Sequence, residues 1–217
     1  MAVSGLIMLG YLLVHMYGNL KIFAGAEAFD DYAHHIREIG EPILPHEGAL
    51  WIIRVVLLAA VLVHFYAAIT LWRRNKKAAG GANGKRYQTK QNKRGIQRSY
   101  ASFTMRWGGV IIALFIIYHL LHLTVNVVAP GGASDSPYAR VVNGFEIWWV
   151  VLSYTIAMVA VGFHLWHGFW SALQSLGQTH SAARRSSRAT TWALLLAGII
   201  TIGFLLPPFA ILFGLVG

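Results

Sequence analysis

The chain has 217 residues, 56% of them hydrophobic and 12% charged, with a formal net charge of +10. That balance belongs to a membrane protein and not to a soluble domain. The absence of cysteine excludes disulfides, thiolate iron–sulfur ligation and covalent haem attachment through a C-x-x-C-H motif, so any cofactor must be held by other side chains.

Five long apolar stretches occur, at about 3–23, 48–72, 104–128, 146–174 and 191–215. Each has the ~20 residues that a helix needs to cross ~30 Å of hydrocarbon. The first has no basic region before it and no small-residue cleavage site after it, and it contains His15, Tyr17 and Asn19. It reads as a spanning helix and not as a signal peptide. The segment 24–47 shows helical spacing at Phe29, Tyr32, Ala33 and Ile36, which predicts a short interfacial helix broken by Pro42 and Pro45. After the second apolar stretch, segment 73–106 carries 11 Lys or Arg. Its "AAGGANGK" run reads as flexible linker, since it lacks the strand and helix that flank a phosphate-binding loop. The segment 129–145 reads as a loop, and "RRSSR" at 184–188 precedes the fifth stretch. The whole chain, 1–217, reads as a single transmembrane domain: an all-α bundle of five transmembrane helices.

Charge sets the expected orientation. Fourteen of the 18 basic residues lie in 73–106 and 184–188, and none of the eight acidic residues does. By the positive-inside rule those loops are cytoplasmic, which puts the amino terminus inside and the carboxyl terminus outside. The loops holding Glu27, Asp30, Asp31, Glu38, Glu41, Glu47 and Asp135 then face outward. This topology accounts for the positive charge without nucleic acid, and leaves room for anionic lipid or a cytoplasmic partner.

Of ten histidines, His34, His35, His46 and His180 fall in loops, and His15, His64, His119, His122, His164 and His167 fall inside helices. Six imidazoles in hydrocarbon need partners or a cofactor. At ~1.5 Å per residue, His15 and His119 share a level roughly 9–14 Å below the outer face, and His64 and His164 share one roughly 12–14 Å from the inner face. Two histidines from different helices at one depth are what bis-imidazole haem ligation requires, and the chain supplies such a pair twice. Zinc or a histidine-lined transporter would call for carboxylates; helices two, three and five have none, and Glu146 lies only at the mouth of helix four. Gly18, Gly108, Gly109, Gly162 and Gly168 stand near the histidines, where they serve either porphyrin access or close helix packing. Two b-type haems, a haem-free transporter and a purely structural anchor are the alternatives at this level.

The ordered set His15 in "HMYGNL", His64 in "VHFYAAITLW", His119 in "GVIIALFIIYHLLHLT" and His164 in "HLWHGFWSALQSLG" resembles the dihaem cytochrome b membrane-anchor subunit of succinate:quinone oxidoreductases, the succinate dehydrogenases and fumarate reductases. The resemblance implies two haem b groups, with His15 and His119 on the outer iron and His64 and His164 on the inner one. The helix-four pattern H-x-x-x-G with a following aromatic aligns His164, Gly168 and Trp170. His167 and His122 are then expected to make secondary contacts or, with roles exchanged, to replace His164 and His119. Implied partners are a flavoprotein subunit and an iron–sulfur subunit on the cytoplasmic side, with a quinone, menaquinone or ubiquinone, as the membrane substrate. The expected location is the inner (cytoplasmic) membrane. Succinate chemistry belongs to another subunit, because no flavin or dicarboxylate motif is present. Glu38, Glu41 and Glu47 are candidates for proton exchange with quinone at the outer side. Gly162 stands where some relatives carry a proton-moving glutamate, and any amphipathic amino-terminal segment is expected to be short or missing. The rival readings are a cytochrome b subunit of a quinone-linked hydrogenase or formate dehydrogenase, and a haem-free anchor.

Overall fold

The computed structural model describes residues 1–78, 95–178 and 188–217, with backbone alone at 78, 95–104 and 188–189. Residues 79–94 of the basic 73–106 segment, which include the glycine-rich run, residues 184–187 of the RRSSR run, and His180 therefore lie outside the described residues. Among those that are described, every regular element is helical: α1 (Ala2–Leu20), α2 (Ala26–Glu38), α3 (Gly48–Ala78), α4 (Gly95–His119), α5 (Pro137–Phe145), α6 (Trp148–Ser175) and α7 (Arg188–Leu212). Helix α1 tightens into a 3-10 turn at Lys21–Ala24, and α4 runs on into a π turn at Leu120–Thr124. Five spans are long and apolar enough to cross a membrane: Ala2–Ala24, Gly48–Lys77, Met105–Thr124, Trp148–Ser175 and Thr190–Leu212.

The short amphipathic helix expected in 24–47 forms as α2. Gly25 turns the chain into it with φ 95°, a value that only glycine adopts freely, and Ile39 ends it in extended backbone ahead of Gly40, Pro42 and Pro45. The 129–145 segment differs from expectation, because its second half is α5. Pro137 occupies the first turn and the Ser136 hydroxyl accepts from the Ala139 N–H, so that a helix of nine residues is capped locally. Asp30 of α2 then accepts from the Ser136 hydroxyl at 2.6 Å and the Tyr138 N–H at 2.8 Å, tying α2 to α5. The third span also ends earlier than the hydropathy predicts, with Asn126 in the left-handed region at φ 62°.

Helix α6 is the hub: α7, α4 and α1 pack on it, whereas α3 leans chiefly on α1 and α2. Val55, Leu58, Leu62, Val63 and Tyr66 leave α3 apolar and exposed over much of its circumference, as a lipid-facing helix should be. The main core lies at the end capped by α2 and α5, where Ile22, Val141, Val142, Phe145, Val150, Val151, Tyr154 and Ile211 are buried together. A second cluster, Ala157, Met158 and Val161, continues along α6 toward the other end.

Candidate cofactor sites

The depth-matched histidines meet. His15 on α1 and His119 at the end of α4 stand with ring centroids 5.8 Å apart at 80°, and His64 on α3 and His164 on α6 stand 6.1 Å apart at 57°. In neither case are the two parent helices principal packing partners, so each pair reaches across a gap between helices. Two imidazoles bound to opposite sides of one first-row metal, with bonds of ~2.0–2.1 Å, would have centroids roughly 6.3 Å apart. Both pairs are within half an ångström of that spacing.

Hydrogen bonds orient one ring of each pair. Ser4 Oγ donates to the Met1 carbonyl at 3.0 Å and lies 3.2 Å from His64 Nδ1. A hydroxyl has one proton, so Ser4 accepts from His64 Nδ1–H, and the lone pair of that imidazole is left on Nε2. Tyr154 Oη lies 3.3 Å from His119 Nδ1 and 3.0 Å from His122 Nδ1. The phenol has one proton for two imidazole nitrogens, so where it donates to His122, His119 Nδ1–H donates to Tyr154 and the lone pair of His119 is on Nε2. His164 Nδ1 is buried without a hydrogen-bond partner among the described residues.

The sites sit at two levels. Ser4 touches the His64 pair and His15 lies eleven residues further along α1, a rise of roughly 16 Å. On α6, Tyr154 touches the His119 pair and His164 lies ten residues on, a rise of roughly 15 Å in the opposite direction. Two independent helices thus give the same separation.

The remaining histidines separate from these pairs. His122 is 2% exposed, stacked on Tyr118, with Nε2 against Gly144 of α5; a Cβ at 144 would stand 2.5 Å from that nitrogen. His167 stacks on Trp166 at 4.8 Å. Glu47 pairs with Arg37 and Arg54 at 3.2 and 3.8 Å, while Glu38 and Glu41 lie 3.4 Å from His34 Nδ1 and 2.9 Å from His46 Nδ1. Among the described residues no group of three or more His, Cys, Asp or Glu side chains converges on one point. A four-ligand zinc site does not fit this donor set, whereas a macrocycle that needs two axial nitrogens does.

The glycines divide by neighbour. Gly18 faces Tyr32, and a Cβ at 162 would stand 2.5 Å from Thr201 Oγ1, so these two serve close packing. A Cβ at Gly5 or Gly109 would instead stand 3.6 or 3.9 Å from Cε1 of His64 or His164, an ordinary van der Waals contact, so these two positions border the paired rings.

Sequence reasoning passed over Ser4 and Tyr154. A usable signal was present: Tyr154 lies six residues into α6, the depth already assigned to His119, and a buried phenol at that depth needs a partner.

A family model described as succinate dehydrogenase/fumarate reductase transmembrane subunit matches residues 85–205, more than half of the chain. The match takes in His119, Tyr154 and His164, while His15 and His64 precede it. No curated protein and no solved structure matches the chain.

Proposed function

Because the chain belongs to the family of succinate dehydrogenase/fumarate reductase transmembrane subunits, we propose that it passes electrons between a cytoplasmic iron–sulfur subunit and membrane quinone. The observation that carries this reading is the recurrence of a facing imidazole pair at two levels, on helices held apart at each level. His15 with His119, and His64 with His164, would each hold one haem b. Bound there, the two haems would supply one-electron transfer across the bundle.

The chain's own work is to hold, orient and enclose. Ser4 and Tyr154 fix the tautomers of His64 and His119, so that Nε2 is the ligating nitrogen in each. Phe204 and Tyr11 pack on the His15 ring and limit water around it. Positive-inside logic puts the His64–His164 level nearer the cytoplasm, because Arg73, Arg74, Lys76 and Lys77 end α3 on that side. The basic loops then face the iron–sulfur and flavoprotein subunits, and α2 and α5 cap the outer end. Glu38, Glu41 and Glu47 lie at that outer end and are assigned to proton exchange with quinone, in the inner (cytoplasmic) membrane.

The test is to purify the intact complex from native membranes, identify the accompanying subunits and measure haem per chain. Flavoprotein and iron–sulfur subunits with two haems b per chain are expected. Hydrogenase or formate dehydrogenase subunits, or a haem-free chain, would overturn the reading.

A further inference from the structure

The phenol of Tyr154 touches two histidines, and only one of them faces a partner across the gap. His122 is nearly inaccessible, pinned between the Tyr118 ring at 5.5 Å and the Phe145 ring at 6.4 Å, with Gly144 admitting its far edge. Its Nε2 has no hydrogen-bond partner among the described residues. The π turn that carries it begins immediately after His119, and such turns recur at functional sites. A buried imidazole with one edge unsatisfied is a costly thing to keep if packing were its sole purpose.

Proton counting orders the chain. If Nε2 of His119 is an axial ligand, its proton is on Nδ1 and is donated to Tyr154 Oη. The single phenolic proton is then donated to Nδ1 of His122, 3.0 Å away. His122 carries its own proton on Nε2, toward Gly144. Each donor in such a line strengthens the next acceptor, so the oxygen facing His119 is more basic for having His122 behind it.

Resting on the assignment of His119 as an axial ligand, we propose that Tyr154 is the positioning residue of the His15–His119 haem, and that His122 acts through it as the terminal acceptor. The pair orients the His119 ring and raises its donor strength, which favours the ferric state and lowers the potential at that site. Ser4 does the corresponding work for His64 without a second imidazole behind it, so the two sites differ by design.

Redox titration of the intact complex, together with haem content and the electron paramagnetic resonance of the ferric haems, tests this. Tyr154→Phe keeps the ring that Phe115 and Phe145 pack against at 4.8 Å and removes only the hydroxyl. Two haems per chain should remain, with the oxidised-to-reduced ratio of one site falling about tenfold, a rise of about 59 mV for a one-electron couple. The other site should not move. His122→Leu should shift the same site in the same direction, and should add nothing in a Tyr154→Phe background. An unchanged potential in Tyr154→Phe, or a His122→Leu shift of equal size in both backgrounds, overturns the proposal. Should Tyr154→Phe fail to assemble, the His122→Leu single variant decides: a raised potential at one site supports the relay and no change overturns it. Failure of the underlying ligand assignment reads differently, because His119→Ala would then retain both haems.

Discussion

His64 and His164 hold their rings 6.1 Å apart although α3 and α6 are not principal packing partners. On the proposed reading, a haem stands between these two rings. Removing either imidazole should therefore remove one haem and leave the other. His64→Ala and His164→Ala should each lower the pyridine haemochrome yield from about two haems per chain to about one. His15→Ala and His119→Ala should do so at the second site. His167→Ala, whose ring stacks on Trp166, should leave the bis-histidine spectrum in place. Loss of a haem in His167→Ala with retention in His164→Ala would reverse the assignment on α6.

Ser4 gives a finer test of the same site. Ser4 is 6% exposed and its hydroxyl accepts from His64 Nδ1–H, a contact behind a ligand of the kind whose loss typically costs ~10–100-fold in metal affinity or activity. Ser4→Ala should loosen haem retention at the His64–His164 site on dilution or mild chaotrope, with the His15–His119 site unaffected. Equal retention at both sites would show that Ser4 serves only the first turn of α1.

Much of this architecture was legible in the sequence because bilayer physics narrows the choices. Hydrocarbon thickness fixes helix length, so five spans could be marked, and a constant rise per residue turned histidine positions into depths. The pairing of His15 with His119 and of His64 with His164 followed from those depths alone, and the rings do face one another. What stayed hidden depends on lateral neighbours, about which depth says nothing. Ser4 and Tyr154 are common residues in apolar runs, and their meaning lies in which ring they touch. Helix α5 was missed because nine residues are too few for a clear period, and part of what holds it in place is Asp30, more than a hundred positions away. Gly162 was read from a departure in a motif; its neighbour Thr201 supplies the physical reason for it.

That close approach is itself testable. A Cβ at position 162 would meet Thr201 Oγ1 at 2.5 Å, and Thr201 is held in place by donating to the Ala197 carbonyl at 2.7 Å. Gly162→Ala should destabilise the complex by about 1–3 kcal/mol through overpacking of α6 on α7, seen as a lower thermal midpoint in detergent. Adding Thr201→Ala should restore most of the loss. Additive losses in the double variant would place the crowding elsewhere.

Orientation can be read chemically because the chain has no cysteine to mask. Single cysteines placed at Asn83 in the basic segment and at Asp135 ahead of α5 should label from opposite faces of sealed vesicles. A membrane-impermeant maleimide should reach Asp135→Cys in intact cells and Asn83→Cys only in inverted vesicles. The reverse pattern would invert the topology and put the His64–His164 level outside.

The last prediction joins this topology to Gly162. If electrons from the cytoplasmic subunits reach quinone at the outer end, negative charge moves outward across the low-dielectric layer. Each electron that crosses the full potential is worth ~2.3 kcal/mol per 100 mV. A carboxylate on α6 could offset this by carrying protons alongside, but position 162 is a glycine with no side chain to hold a proton, packed where a Cβ would stand 2.5 Å from Thr201 Oγ1. Charge movement is then uncompensated at that point, and turnover must feel voltage. In proteoliposomes with the succinate-oxidising face inward, an inside-negative potential assists outward electron movement and an inside-positive potential opposes it. Succinate oxidation by quinone should accordingly slow when an inside-positive potassium diffusion potential is imposed, and recover when ionophore collapses it. Glu38→Gln, Glu41→Gln or Glu47→Gln should lower quinone turnover while leaving both haems in place, if these residues exchange protons at the outer end. A rate indifferent to potential of either sign would place quinone chemistry beside His64 and His164, or require a proton path through other residues of the bundle.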